Sequence, residues 1–210
     1  MSRVTSQISI SIDGYVAGPN QSPENPLGEG GERLHDWVIP TEGWRKTHGY
    51  EGGVRNVDSE VAAKLSEGIG AHVMGRKMFA GPGRWDESWR GWWGDEPPFH
   101  APVYVLTHNV REPLEMQGGT TFHFVNDGFA SALEQARAAA GEQDVAISGG
   151  ASTINQALAA NALDELYLHI VPITLGGGER LFEDVGDVEL APAEVVASPA
   201  VTHIRYELRR

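Results

Sequence analysis

The 210-residue chain predicts an α/β fold: a mostly parallel central sheet, flanked by helices, with antiparallel strands at its C-terminus. Three observations predict it. Apolar runs of strand length, Ala71-His72-Val73-Met74 and Val103-Tyr104-Val105-Leu106, alternate with segments whose apolar residues recur at helical spacing. At Val145-Ala146-Ile147 a short strand passes through Ser148-Gly149-Gly150 into Ile154, Ala157 and Leu158, which share a helical face. Near the end, residues 194–198 and 201–208 alternate as two strands around Ser198-Pro199-Ala200. Strands that alternate with helices build a parallel sheet, and a hairpin closes it antiparallel.

From the N-terminus, Ile8, Ile10 and Ile12 alternate with Ser9 and Ser11, a strand with one apolar face. Asp13-Gly14 signals a turn, after which Tyr15-Val16-Ala17-Gly18 extends again. Residues 21–56 are rich in Gly, Pro, Glu and Asn and carry His35, Asp36, Trp37, Trp44 and His48. A connection this long inside one domain is usually functional or mobile, so a rim or lid is expected, with a short amphipathic helix that puts Trp37 in the core as the even alternative. Asp58 or Ser59 is the expected cap of a helix to about Ser66, with Val61, Ala62 and Leu65 on one face. The strand at 71–74 runs into Gly75-Arg76-Lys77-Met78-Phe79. Residues 84–100 hold Trp85, Trp89, Trp92 and Trp93. Two readings are open for this Trp-rich loop: an aromatic wall for a flat heterocycle, or a cluster pinning the loop, the latter favoured for at least two of the four. The strand at 103–106 ends at Thr107-His108-Asn109. Thr121 to Val125 is a further strand, and Asn126 or Asp127 is the expected cap of a helix with Ala130, Leu133 and Ala136 inward. Past the glycine turn, Leu166, Leu168 and Ile170 alternate with Tyr167, His169 and Val171 before Leu175-Gly176-Gly177-Gly178.

Length suits one domain, residues 1–210, with a full core. A formal charge of −13 argues against nucleic acid and against an anionic membrane surface, both of which need clustered Lys and Arg. Absence of cysteine excludes disulfides, thiolate catalysis and cysteine-ligated zinc, and no metal site is expected. Met1-Ser2-Arg3 leads into a polar strand, and no run approaches a membrane span, so a soluble cytoplasmic protein is expected.

The glycine turn has a chemical use. The first N–H groups of a helix lack partners inside it, and the helix dipole makes that end partly positive. Glycines let an anion reach the backbone, which makes a phosphate cradle. A tight structural turn that binds nothing is the alternative. Asp13 is likewise open between a turn former and a carboxylate beside a reacting carbon.

These motifs carry a resemblance. ISGGASTINQAL followed by DELYLHIVPITLGGGERLF resembles the reductase domain that closes bifunctional riboflavin-biosynthesis deaminase-reductases, and the stand-alone bacterial proteins of that dihydrofolate-reductase-like superfamily. SISIDGYVAGPN, NPLGEGGERLHDWV and WWGDEPPFHAPVYVLTH are similar to the same group, and VMGRKMF resembles the dihydrofolate reductase motif with Met78 in place of the usual Thr. The resemblance spans nearly the whole chain and implies the dihydrofolate-reductase-like fold, NADPH as cofactor and often a homodimer, with His169 and the Trp-rich loop as candidate contacts. It implies that Gly149, Gly150, Ala151, Ser152 and Thr153 hold the pyrophosphate. Arg76, Lys77, Thr107 and His108 would serve the 2′-phosphate region, Gly75 would be a further cofactor contact, and Ala17 and Ile147 would flank the nicotinamide. Asp13 and Asp36 are the candidate proton donors, and His35, Trp37 and Trp85 the candidate substrate contacts.

The expected activity is an NADPH-dependent reductase acting on a flat nitrogen heterocycle or small carbonyl compound. It would be similar to 5-amino-6-(5-phosphoribosylamino)uracil reductase or dihydrofolate reductase. A nucleotide-binding protein or sensor without turnover, and an assembly component with structural glycine turns, are the alternatives.

Overall fold

The computed structural model describes residues 2–81 and 88–209. Eleven strands and five α-helices are found among them. The chain begins with β1 (Val4–Ser11) and β2 (Tyr15–Ala17), then a 3-10 turn at Gly31–His35, α1 (Glu42–Thr47) and α2 (Val57–Lys64). Next come β3 (Ile69–Gly75), α3 (Arg76–Ala80), β4 (Pro102–Leu106), β5 (Leu114–Glu115), β6 (Thr121–Val125) and α4 (Phe129–Ala140). The last third holds β7 (Asp144–Gly149), α5 (Ala151–Ala159), β8 (Glu165–Val171), β9 (Glu179–Arg180), β10 (Glu189–Ala197) and β11 (Thr202–Arg209).

Nine strands form one sheet in the order β10-β11-β8-β1-β7-β3-β4-β6-β5. The six inner strands from β8 to β6 run parallel, whereas β11, β10 and β5 are antiparallel to their neighbours. The expected mostly parallel sheet with antiparallel C-terminal strands is therefore present. β2 and β9 pair separately.

Strand alternation assigns each side of the sheet its own core. Val73, Val145, Ile147, Leu166 and Leu168 face Ala132, Leu133 and Ala136 of α4 and Ile154, Ala157 and Leu158 of α5. On the other side, Met74, Val103, Val105, Phe122 and Phe124 enclose Phe79 of α3. Further along that side, Leu34, Trp37 and Val38 pack with Ala62, Val171 and Val201. Segment 21–56 is thus anchored at its middle: Trp37 is a core residue, 4 % exposed.

Two helix starts differ from expectation. Asn56, not Asp58 or Ser59, caps α2, because its Oδ1 accepts from Ser59 N (2.9 Å). Ser59 Oγ instead accepts from Gly43 N on α1 (2.9 Å). That contact needs Gly43, since a Cβ there would lie 2.4 Å from Ser59 O. α4 starts after Gly128, without a side-chain cap; Asp127 Oδ2 accepts from Ser131 Oγ (2.8 Å).

Trp89 donates through Nε1 to Phe79 O (2.9 Å), and Trp93 stacks on Phe122 at 5.9 Å between centroids. Both pin the Trp-rich loop to the sheet, as favoured for two of the four. Trp85 lies outside the described residues.

Ile147 is fully enclosed at the centre of the sheet, and truncation leaves a void between two layers that cannot close. Ile147→Ala is expected to cost about 3 kcal/mol. Urea unfolding followed by circular dichroism checks this as a lower midpoint with an unchanged slope.

Candidate active site

The carboxyl ends of β7, β3 and β4 are neighbours, so Gly149, Gly75 and Leu106 open on one edge of the sheet. Open α/β sheets bind ligands at that edge. β7 ends in Ser148-Gly149-Gly150, with Gly149 at φ +121°, and α5 begins at Ala151. The Gly149–Gly150 peptide is cis. No side chain caps α5, so the N–H groups of Ala151 and Ser152, which open this nine-residue helix, are left to an outside acceptor. A Cβ at Gly150 would meet no protein atom within 4 Å, so the space over the turn is open to a ligand. Thr153, 2 % exposed, closes the turn from below: its N donates to Gly150 O (3.0 Å). A Cβ at Gly75 would lie 2.6 Å from Thr153 Oγ1, so the glycine lets the ends of β3 and β7 approach. Gly149 to Thr153 and Gly75 are therefore one constellation, and they fit the pyrophosphate of a dinucleotide.

A clamp that sequence reading missed holds the turn from behind. His72 Nδ1 and Ser148 Oγ are 2.9 Å apart. Burial pushes His72 down to about 4, so the imidazole is neutral near pH 7. A His inside an apolar strand reads only as core, and its partner lies 76 positions away.

The charged candidates are less free than the motif suggests. Arg76 is half-buried and turns along its own helix, with Nη1 donating to Gly81 O (3.2 Å). Lys77 Nζ meets Glu179 Oε1 at 2.5 Å, an exposed ion pair from α3 to β9. Thr107 is 7 % exposed and its Oγ1 accepts from Asn109 N (3.0 Å), whereas His108 is exposed beside it. Ala17 pairs with Glu179 across β2 and β9, and its carbonyl is approached so closely by Gly178 that a Cβ there would lie 2.0 Å away. Ile147 has its side chain in the core, and its carbonyl accepts from Ser6 Oγ (2.8 Å). Burial of the side chain removes it as a direct neighbour of a nicotinamide ring; it supports the turn from within.

Of the two proton-donor candidates, Asp13 is opposed by its surroundings. Asp13 accepts from Ser11 Oγ (2.6 Å), from Gly176 N (2.7 Å) and from Leu175 N (3.2 Å). The Ser11 hydroxyl foremost, then the Gly176 and Leu175 amides, hold its carboxyl below the usual carboxylate range. It is an anion that clamps the Leu175-Gly176 turn, and a poor acid. Asp36 is exposed at the end of the 3-10 turn, with its N–H bonded to Arg33 O. His35 is half-buried with Nδ1 enclosed and without a partner among the described residues, and burial lowers its pKa. Trp37, a candidate substrate contact, is buried and donates through Nε1 to Ser9 Oγ (3.0 Å), so it anchors the lid segment. His169, a candidate dimer contact, is 3 % exposed inside the chain. No group of three His, Cys, Asp or Glu able to hold a metal is found among the described residues. No described helix is long and apolar enough to cross a membrane.

A family model described as the RibD C-terminal domain matches residues 2–204. Solved structures share the fold. A protein from Shewanella sp. PV-4 assigned to riboflavin biosynthesis is 22 % identical, with a TM-score of 0.64 and 99 % of each chain covered. The riboflavin biosynthesis reductase of Saccharomyces cerevisiae is 14 % identical with a TM-score of 0.57, covering 99 % of this chain and 90 % of its own. Dihydrofolate reductase from Enterococcus faecalis, in complex with NADP(H), is 15 % identical with a TM-score of 0.51, covering 99 % of this chain and 97 % of its own. The α/β architecture with antiparallel C-terminal strands is thus dihydrofolate-reductase-like. A search of curated proteins gave no match.

The Asp13 clamp has a pH dependence of definite sign. A carboxyl whose folded pKa is lowered stabilises the fold above its unfolded value of 3.8, and that contribution is lost as pH falls through the folded value. Amide signals of Leu175 and Gly176 in NMR spectra are therefore expected to shift below pH 3.8, and in Asp13→Ala at pH 7 to shift in the same direction.

Proposed function

We propose that this chain, which belongs to the RibD C-terminal domain family, is an NADPH-dependent reductase of a small nitrogen heterocycle. The observation that carries the reading is the uncapped start of α5 behind Gly149-Gly150, side by side with Gly75 and α3. Family membership supports reductase chemistry, and the NADP(H) complex of the Enterococcus faecalis enzyme supports the cofactor class.

The nicotinamide, when bound, supplies a hydride; the chain binds and orients. Backbone N–H groups of Ala151 and Ser152 would hold the pyrophosphate, and the helix dipole would favour its charge. Gly150 keeps the approach open, and the His72–Ser148 bond fixes the end of β7. His108 and Arg76 stand at the ends of neighbouring strands, where a 2′-phosphate lies if the adenosine half crosses β3 and β4. At a net charge of −13, such a phosphate needs this local site, because the overall field repels it. The neighbouring reductases support as substrate a uracil-type aminopyrimidine such as 5-amino-6-(5-phosphoribosylamino)uracil, with dihydrofolate as the competing choice. Homodimer formation is part of the same proposal, without His169 as a contact.

Titration of the protein with NADPH and with NADH, followed by tryptophan fluorescence, tests the cofactor. Micromolar binding with preference for NADPH is expected. Gly150→Val is expected to abolish it while the thermal transition persists, since the new side chain enters ligand space and meets no protein atom within 4 Å at its Cβ. Retained affinity in that variant removes the glycine turn as the cradle. NADPH oxidation with the aminouracil, then with dihydrofolate, separates a reductase from a nucleotide-binding protein without turnover.

A further inference from the structure

At the C-terminal side of the sheet, the two faces of β8, β11 and β10 differ in charge. Cross-strand register aligns Leu168, Ile204 and Val195 in one row and Ile170, Thr202 and Ala197 in the next. The rows beyond, at Tyr206 and Leu208, continue the same face, and no Asp, Glu, Lys, Arg or His lies on it. The charged residues of these strands point the other way. Glu165, Arg205, Glu207 and Glu194 share the opposite face with the buried pair His169 and His203, whose Nδ1 atoms are 2.8 Å apart. His203 Nε2 there lies 3.1 Å from Asp58 Oδ1.

The uncharged face is open to solvent at its outer strands. α4 and α5 pack on β3, β4 and β7. Val195 is 60 % exposed, Ala197 is exposed, and Ile170, Thr202 and Ile204 are half-buried. Apolar surface left in water forgoes the gain of burial, and a contiguous patch of it marks an interaction surface. The strand edge beside it is blunted. β10 is the outermost strand, and its ladder is broken by Pro192, which has no N–H, and by a bulge between Pro192 and Glu194. Both features oppose the addition of a further strand, so the face and not the edge is left for association.

Charge decides the occupant. Without Lys or Arg the face offers nothing to an acidic peptide, a nucleic acid or an anionic headgroup. A two-fold contact sets a patch against its own copy, so charges near the axis meet their like. At −13 per chain, two copies repel one another over most of their surfaces. A face without charge is where they can meet. Apolar sheet faces stack about 10 Å apart and need no pairing of side-chain charges to do so.

We propose that this face of β8, β11 and β10 is the contact between two copies of the chain, packed sheet face against sheet face, with Val195 and Ile204 inside it. The proposal rests on the homodimer part of the reading above and not on the cofactor. His169 stays out of the contact, on the opposite face of β8. Apolar burial drives the association and net charge opposes it. Salt screens the repulsion and leaves the burial, so the dimer tightens as ionic strength rises, whereas a contact built on ion pairs loosens.

Sedimentation velocity of the full chain is expected to show a species of twice 22.7 kDa, and its dissociation constant is expected to fall as sodium chloride is raised. Val195→Glu puts a carboxylate where an exposed valine stood. It is expected to raise that constant about 100-fold with the circular dichroism spectrum unchanged. A second readout needs no variant. Methyl signals of Val195 and Ile204 in the wild-type protein are expected to shift with protein concentration, while those of Val54 and Val110, 51 % and 54 % exposed on other segments, stay fixed. A chain that is monomeric at every concentration, a dimer that weakens with salt, one that a folded Val195→Glu leaves intact, or one whose Val195 methyls do not move overturns the proposal. A monomer that floats with phosphatidylcholine vesicles overturns it too and assigns the face to lipid. A monomer that still binds NADPH removes this contact and leaves the reductase reading standing, and a dimer that binds no NADPH does the reverse.

Discussion

The position of β7 between β1 and β3 is the constraint on which the rest depends. It is buried on both faces by α4, α5 and the far-side core, so its apolar run can sit only in the middle of the sheet. That placement brings its carboxyl end, Ser148-Gly149, between the ends of β1 and β3. Everything at the ligand edge is measured from there: Gly75 against Thr153 on one side, and Ser11, Asp13 and the Leu175-Gly176 turn on the other. A glycine turn on an edge strand would have the same composition and no neighbours to make a site.

Much of the architecture was legible because its signals are local. Six parallel strands announce themselves as apolar runs, and the turn at Ser148-Gly149-Gly150 announces a change of period. Helix starts were less legible, because capping is a competition among neighbours. Asn56, Asp58 and Ser59 all suit a cap, and Ser59 is removed from the contest by Gly43 of another helix. The candidate site divides on the same line. Gly149, Gly150 and Gly75 showed in the sequence as turn positions, because each follows an apolar strand and breaks its pattern. The partners of Asp13 and Trp37 did not, because Gly176 and Ser9 lie 163 and 28 positions away.

His169 shows how a side chain can be assigned to the wrong surface. In the strand pattern it alternates with Leu168 and Ile170, so it should face away from their core, and outward was the simple inference. The sheet has a second core on that side, built from Leu34, Trp37, Val38, Val171 and Val201. Segment 21–56, whose composition suggested only a loose connection, supplies three of those five residues. A polar His on a strand therefore faces an enclosed space, and there it requires partners.

That requirement has a cost in stability. A buried imidazole pair contributes less to folding than apolar side chains of the same volume, because each ring must be desolvated and each nitrogen matched. Here the matching is incomplete at one end, His169 Nε2, and complete at the other, where Asp58 takes two hydrogen bonds. A purely structural cluster gains by closing both ends or by replacing the rings with leucine. His169 Nε2 stays enclosed without a hydrogen-bond partner among the described residues, so the cluster keeps a desolvation cost that leucine would not carry. Asp13, in contrast, is a matched anion, held by the turn that it clamps.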